Sequence, residues 1–347
     1  MRRVSLFAIL LLINASCTDK DWRIEFTELD TGTTASIRAI YVVSQDVVWA
    51  SGTGGAFLLT LDGGETWKAD TVPGASMDDF RSMHAWNEKE AILFGISHPG
   101  RAYYTDDGGE SWEIVYENNT EGIFFDSAVF ADESKGLALS DPLDSTFFVI
   151  RTTDRGRTWH EIKNMSVLAE GEYNFAASNT CIDYHPGGDI WIITGGTEAR
   201  VFISNDHGKE WTAVETGLVH GNPSSGNFSV SFFDDRNGIV VGGTYDRPEL
   251  NDKIAAFSSD GGYSWNLSEV MPREYRSCVI WLHDGKQTIA FSIGKTGCDY
   301  SLDRGRTWIS GTDVKDYYTA RALKGTMSGF AAGADGKLAK FTVGRVE

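Results

Sequence analysis

Residues 105–112 read TDDGGESW, and five further stretches repeat the pattern Ser/Thr-x-Asp-x-Gly-x-x-Trp. They are TLDGGETW (60–67), TTDRGRTW (152–159), SNDHGKEW (204–211), SSDGGYSW (258–265) and SLDRGRTW (301–308). Their aspartates are Asp62, Asp107, Asp154, Asp206, Asp260 and Asp303, at intervals of 45, 47, 52, 54 and 43 residues. A fixed period of this size marks a repeat architecture. Each stretch holds the parts of a tight hairpin. The Asp side chain bonds nearby backbone N–H groups, as in an Asx-turn. The Gly accepts positive φ without steric cost, and the Trp packs its ring on the neighbouring strand layer. The six Asp are therefore read as structural; calcium binding would need oxygen ligands converging in one loop.

Working outward, a short strand precedes each hairpin: AFLLT, RAYYT, FVIRT, RVFIS, AAFSS or CDYSL. Before it lies a Gly-punctuated strand such as VVWASGTGG (47–55) or GIVVGG (238–243), and before that another apolar run such as SIRAIYV (36–42). Each repeat is thus four short antiparallel strands, the size of one propeller blade. The blade count is seven. After Thr312 come strand signals near 319–323, 329–333 and 337–341, with no hairpin motif and no Trp of their own. The stretch WRIEFTEL from Trp22 resembles the strand after each motif Trp, such as EIVYE after Trp112, and it is expected to supply the missing outer strand. That closure also covers an open sheet edge. The fold class is all-β, a seven-bladed β-propeller over 22–347, with four antiparallel strands per blade and the last blade closed by the N-terminal strand.

The N-terminus reads as an export signal. Arg2 and Arg3 precede a short apolar run, Val4 to Ile13, too short to span a bilayer as a helix. Ala15, Ser16 and Cys17 come next, which resembles a bacterial lipoprotein signal in which Cys17 is lipidated, although Asn14 stands where an aliphatic residue is usual. The expectation is a signal peptide at 1–16, a lipidated Cys17, a short tether at 17–21, and a place in the cell envelope, in the periplasm or on the outer surface; simple secretion is the alternative. The tether at 17–21, at roughly 3.5 Å per residue, would hold the ring within about 20 Å of a membrane. The net charge of −18 argues against nucleic-acid binding, which depends on neutralising phosphates. Cys181, Cys278 and Cys298 have no C-x-x-C spacing. Cys278 and Cys298 fall on the first and third strands of one blade, roughly 9–10 Å apart. A disulfide needs Cα atoms about 4.4–6.8 Å apart, so free thiols are expected unless both sit in end loops.

Propellers bind ligands at the mouth of the central channel. Aligning the innermost strands places Arg38, Arg81, Arg276 and Arg321 on four contiguous blades, with Asp126 at the matching place in blade three and Phe228 in blade five. Arginine suits bidentate recognition of carboxylate, sulfate or phosphate. One reading is an anion site; the other is that each Arg pairs with an acid such as Asp78, Asp79 or Glu274 and staples the blades. A one-residue slip in register would turn any of them to the other face, and the alignment of Arg276 and Arg321 is the loosest.

The hairpin motif resembles the Asp box (BNR repeat) of sialidases and related propellers. Over about residues 22–341, the six boxes and Gly-x-Gly turns resemble the photosystem II assembly and stability-factor family, and in particular its non-photosynthetic bacterial branch. That resemblance implies a non-catalytic scaffold with an arginine patch and a protein partner. A more distant, sialidase-like resemblance implies glycan cleavage or anionic-glycan binding. Arg38, Arg81, Arg276, Tyr275, Glu274, Tyr317 and Asp79 would be its raw parts, but Arg23-Ile24 is followed by Glu25 rather than Pro. No dinucleotide, serine-hydrolase or zinc-protease motif is present, and no cofactor or metal is expected. The sequence favours an anchored binding or assembly scaffold, with a glycan-active protein as the alternative.

Overall fold

The computed structural model describes residues 22–345 except Ser97 and Asn164. The signal at 1–16, Cys17 and the tether at 17–21 lie outside the described residues. Seven antiparallel sheets follow one another along the chain. Their innermost strands are Ile37–Val42, Phe80–Ala85, Phe125–Phe130, Ile182–Tyr184, Ser225–Phe232, Cys278–His283 and Tyr317–Ala322. Blades one to six run outward in chain order. Blade seven orders Tyr317–Ala322, Ser328–Gly333 and Leu338–Arg345 outward and takes Trp22–Leu29 as its outer strand. This last pairing is unbroken, from Trp22 opposite Arg345 to Leu29 opposite Leu338. The seven-bladed reading and its N-terminal closure are both realised.

The apolar core is a ring of layers between blades, because each sheet has two faces to bury and a neighbour on either side. Trp49, Phe57 and Ala39 of blade one pack with Phe80, Met83 and Leu93 of blade two. Phe330 and Leu338 of blade seven meet Ile37, Val48 and Leu58 of blade one, which completes the circle. The Gly-punctuated strands have a steric origin. A Cβ on Gly52, Gly242 or Gly333 would overlap the backbone carbonyl of Ser36, Gly226 or Asp316 on the adjoining inner strand.

Each box is held by its own side chains. In the first, the Thr60 hydroxyl donates to Asp62 Oδ1 at 2.7 Å and accepts from Gly64 N at 2.8 Å. Asp62 Oδ1 also accepts from Thr66 N at 2.9 Å, and Oδ2 accepts from the Thr66 hydroxyl at 2.5 Å. The bonded N–H groups thus lie four residues ahead of the Asp and are matched by a hydroxyl at the same residue, a part of the motif that the Ser/Thr-x-Asp-x-Gly-x-x-Trp pattern leaves open. The boxes at Asp107, Asp154, Asp260 and Asp303 repeat it with Ser111, Thr158, Ser264 and Thr307. The box Gly also serves the joint between blades: a Cβ on Gly64 would lie 2.8 Å from Leu29 of blade seven, and one on Gly305 2.8 Å from Ile239 of blade five.

Box four departs from the rule. Glu210 stands where the other boxes carry Ser or Thr, and Asp206 accepts only from Ser204 Oγ and the Lys209 and Glu210 amides. Glu210→Thr supplies the missing hydroxyl donor for Asp206. It is expected to raise Tm by about 2 °C in a melting experiment, the scale of one neutral hydrogen bond in a domain of this size.

Blade four carries an insertion that the ring needs for another purpose. Glu172–Tyr173 pairs with Gly195–Gly196, and this small ladder joins the inner edge of blade five at Gly226. The Glu172 side chain is fully buried, accepts from Thr194 Oγ1 at 2.6 Å and Ala169 N at 2.9 Å, and forms a two-pronged ion pair with Arg200. From there residues 174–180 cross the central channel. In blade six, Cys278 and Cys298 oppose Ile293 from either side, so they stand two strands apart as free thiols.

Candidate functional site

The innermost strands carry a shared irregularity. In blades one, two, three, five and seven, the ladder between first and second strands skips one residue: Arg38, Arg81, Asp126, Phe228 and Tyr318. A β-bulge leaves its extra residue unpaired and re-aims its side chain. All five line one cavity of about 450 Å³ at a mouth of the channel, and Ser277 of blade six joins them.

The bulge explains where the predicted arginines go. Arg38 and Arg81 occupy it and share the cavity with Asp126. Arg276 lies one residue before the corresponding position, which is Ser277, so it turns away from the mouth. It is buried between strands, with Nε 2.5 Å from Asp299 Oδ2 and Nη1 on Tyr275 O and Thr296 Oγ1. Arg321 lies three residues beyond Tyr318 and faces a second cavity of about 430 Å³ with Asp183, Trp281 and Lys324. Its guanidinium donates to the carbonyls of Asn179 at 2.8 Å and Ser178 at 3.3 Å. The expected single arc of four arginines is corrected to two at one mouth, one in the wall and one at the other end.

The two cavities are separated by the segment from blade four. Asn179 Oδ1 accepts from Ser127 Oγ at 2.9 Å and Ala128 N at 2.8 Å, and its Nδ2 donates to Met83 O at 3.2 Å. Ser178 Oγ donates to Ser277 O, Ser178 O accepts from Thr319 Oγ1, and Thr180 O accepts from Val230 N. One short stretch thus bonds to blades two, three, five, six and seven, and it makes the first cavity a blind cup. Aligning the inner strands has no means of placing this plug. Its trace in the sequence is the interval of 52 residues between the third and fourth boxes, against 45 and 47 for the two intervals before it.

The cup is polar on one side and aromatic on the other. Arg81 donates to Asp79 Oδ2 at 2.8 Å and to Ala176 O at 3.4 Å, so the acid-paired reading holds for this residue. Asp78 accepts from the Tyr103 hydroxyl instead. Arg38 has no ion pair among the described residues; its guanidinium lies 4.2 Å from the Tyr318 ring centre, and burial together with Arg81 pushes its pKa down. Phe175 stacks on Phe228 at 3.8 Å, and Tyr275 meets Phe228 edge-on. Burial lifts the Tyr275 hydroxyl far above its usual range, the reverse of what a nucleophile requires. Tyr317 lies in the core beside Phe26, 5.7 Å between ring centres, and Glu274 does not line the cup.

Two carboxyls line the cup on neighbouring strands. Asp126 is 1% exposed and held well above the carboxylate range by burial and then by Asp141, against the opposing pull of Arg81. Asp141 is pushed up to about 6 by burial, against a bond from the Asn174 amide. A raised carboxyl pKa favours the folded state below the unfolded value near 4 and withdraws that support as pH climbs through the folded values. Asp126→Asn cannot ionise. Its Tm relative to the parent is therefore expected to rise steadily between pH 4 and pH 8, as followed by melting at each pH. A constant difference across that range would show that Asp126 ionises normally. The other charged or titratable groups facing Asp126 are Asp141, Arg81 and the Cys181 thiol.

Among the described residues no group of His, Cys, Asp and Glu could hold a metal ion, and no helix is long and apolar enough to cross a membrane. Residues 103–113, which contain the whole second box, match the BNR/Asp-box repeat family. The chain is a seven-bladed β-propeller with a match to this repeat. It is 23% identical over 250 residues to the photosystem II assembly lipoprotein Ycf48 of Synechococcus, covering 72% of this chain and 66% of that protein. It is 26% identical to the chloroplast photosystem II stability/assembly factor HCF136 of Guillardia theta, over 55% of this chain and 50% of that one. The match thus spans between half and two thirds of these relatives. Among solved structures, YCF48 bound to D1 peptide superposes with a TM-score of 0.64 at 19% identity, covering 92% of this chain and 96% of that one. YCF48 of Cyanidioschyzon merolae gives 0.63 at 17%, covering 93% and 99%. The WD40 propeller of Doa1 gives 0.62 at 11%, covering 93% and 97%, so these likenesses speak for the fold.

Proposed function

We propose that this Asp-box propeller is a non-catalytic binding or assembly scaffold that holds a protein partner, exported and anchored through a lipid on Cys17. The sequence similarity to photosystem II assembly factors supports the scaffold role, and the YCF48 structure that carries a D1 peptide supports a protein as the partner class. The observation that carries the non-catalytic reading is the state of the raw parts for glycan cleavage. Tyr275 is buried with its hydroxyl held protonated, Tyr317 is in the core, and Arg276 is occupied by Asp299. A nucleophile pair and an arginine triad are not assembled from them. The −18 charge keeps the surface soluble and is a poor match for an acidic partner.

The test is affinity purification of the full chain from detergent-solubilised envelopes, against a Cys17→Ser control. The scaffold reading expects the same partner protein to be enriched in repeated preparations. It expects Cys17→Ser to move the propeller from the membrane to the soluble fraction. Enrichment no better than a tag-only control would defeat the partner assignment, and an unchanged membrane association would defeat the anchor.

A further inference from the structure

Among the described residues, the blind cup holds polar groups left without a partner. Asp126 is buried, lines the cup, and has no hydrogen-bond partner on either carboxyl oxygen. Asp141 beside it lines the cup too, and its buried Oδ1 also lacks a partner. Across from them, Arg38 makes no ion pair, and its buried Nε has no acceptor. The other three arginines are engaged, Arg81 with Asp79, Arg276 with Asp299 and Arg321 with main-chain carbonyls. Leaving a buried polar group unsatisfied is costly, and here three such groups converge on one cavity.

We infer that the cup is a binding site for a small hydroxylated carboxylate of the sugar-acid class, with its carboxylate on Arg38 and its hydroxyls on Asp126 and Asp141. The free guanidinium fork fits a carboxylate bidentately. The acidic wall presents three unpartnered oxygens on two adjacent strands, which calls for several donors close together. Vicinal hydroxyls provide that, whereas an extended peptide offers one N–H about every 3.5 Å. Burial raises the Asp126 pKa well above its usual value, and a protonated carboxyl donates as well as accepts, as a hydroxyl does. The stacked Phe175–Phe228 pair and the Tyr318 ring give flat apolar walls for the C–H face of a sugar ring. Ala176 and Ala177, on the stretch that closes the channel, line the cup, so a polymer cannot thread through it. The volume of about 450 Å³ lies within the range for small-ligand sites. Lys295, exposed at the rim, adds a third cation beside Arg38 and Arg81. The site stands apart from the scaffold reading, since a partner protein can use the rims and outer faces while the cup is filled.

The test is calorimetric titration of the full chain with four probes: D-glucuronate, D-glucose, propionate, and a short peptide with a free C-terminal carboxylate. Glucuronate is expected to bind, and glucose and propionate at least about tenfold more weakly, because each lacks one half of the recognition. Arg38→Gln is expected to weaken glucuronate binding at least about tenfold, the scale of one charged hydrogen-bonded contact. Its unliganded Tm is expected to stay within about 3 °C of the parent, since Arg38 has no ion pair to lose and gives up only its contact with the Tyr318 ring. Arg38→Lys keeps the charge without the fork and is expected to fall between the two. Absence of glucuronate binding up to about 10 mM overturns the inference. So does binding undiminished in Arg38→Gln, and so does a peptide that binds more tightly than glucuronate, which would give the cup to a chain end.

Discussion

Removing residues 22–29 is expected to lower Tm by about 10–30 °C or to prevent folding. The segment is the outer strand of blade seven, joined to Leu338–Arg345 along its whole length. Its loss uncovers a ladder edge of eight residues, an aggregation-prone surface. It also strips Ile24, which is buried, and Phe26, which packs on Tyr317 and Phe341. Leu29, which fills the space beside box Gly64 of blade one, goes with them. Burial of side chains of this size contributes roughly 1.5–3 kcal/mol each, and about 1 kcal/mol corresponds to roughly 2–4 °C in a large domain. The check is expression, gel filtration and melting of the truncated chain beside a circular permutant that carries 22–29 on a linker after residue 345. The permutant keeps every native pairing and is expected to melt within a few degrees of the parent. A truncated chain that did the same would remove the closure from the account of stability.

Asn179→Ala is expected to cost about 3–5 kcal/mol, a large effect for a single substitution. Asn179 sits at the centre of the ring with φ +58°, and its side chain serves the Ser127 hydroxyl, the Ala128 amide and the Met83 carbonyl together. Alanine leaves all three without that partner in a buried place, each worth about 1–3 kcal/mol at most. It must also hold a left-handed backbone that Asn tolerates and Ala does not. Asn179→Gly loses the same bonds but keeps the conformation, so it is expected to be about 1 kcal/mol less damaging. Denaturant unfolding of the three proteins reads both terms. Equal stability of parent and Asn179→Ala would mean that the crossing segment does not hold the blades.

How far the sequence reaches depends on the range of the forces involved. The boxes were legible because their bonds are local: Asp62 reaches only Thr60 and Thr66, and every box repeats the spacing. The blade count and the closing strand came from counting strands before the first box and after the last. The disposition of Cys278 and Cys298 was legible too, because strand order fixes it. Arg38, Arg81 and Asp126 were placed together correctly because their strands could be aligned with little ambiguity. Arg276 was not, because it stands one residue before Ser277, the blade-six residue that reaches the cup, and a one-residue difference in register turns a side chain away. Arg321 fell three residues along, at the far end of its strand.

Asp141, Tyr318 and the crossing segment were invisible as site residues, since their roles come from partners distant in the chain. Asn179 meets Met83 across 96 residues, and Arg321 meets Asn179 across 142. The sequence by itself therefore determined the repeat, the all-β ring of seven blades and its N-terminal clasp, all of which rest on local turns and strand periodicity. Only the tertiary structure decided that the channel is plugged, that one mouth is a blind cup, and which arginine in it stays unpaired. Those outcomes depend on side chains from six blades meeting on one axis, which no local pattern encodes.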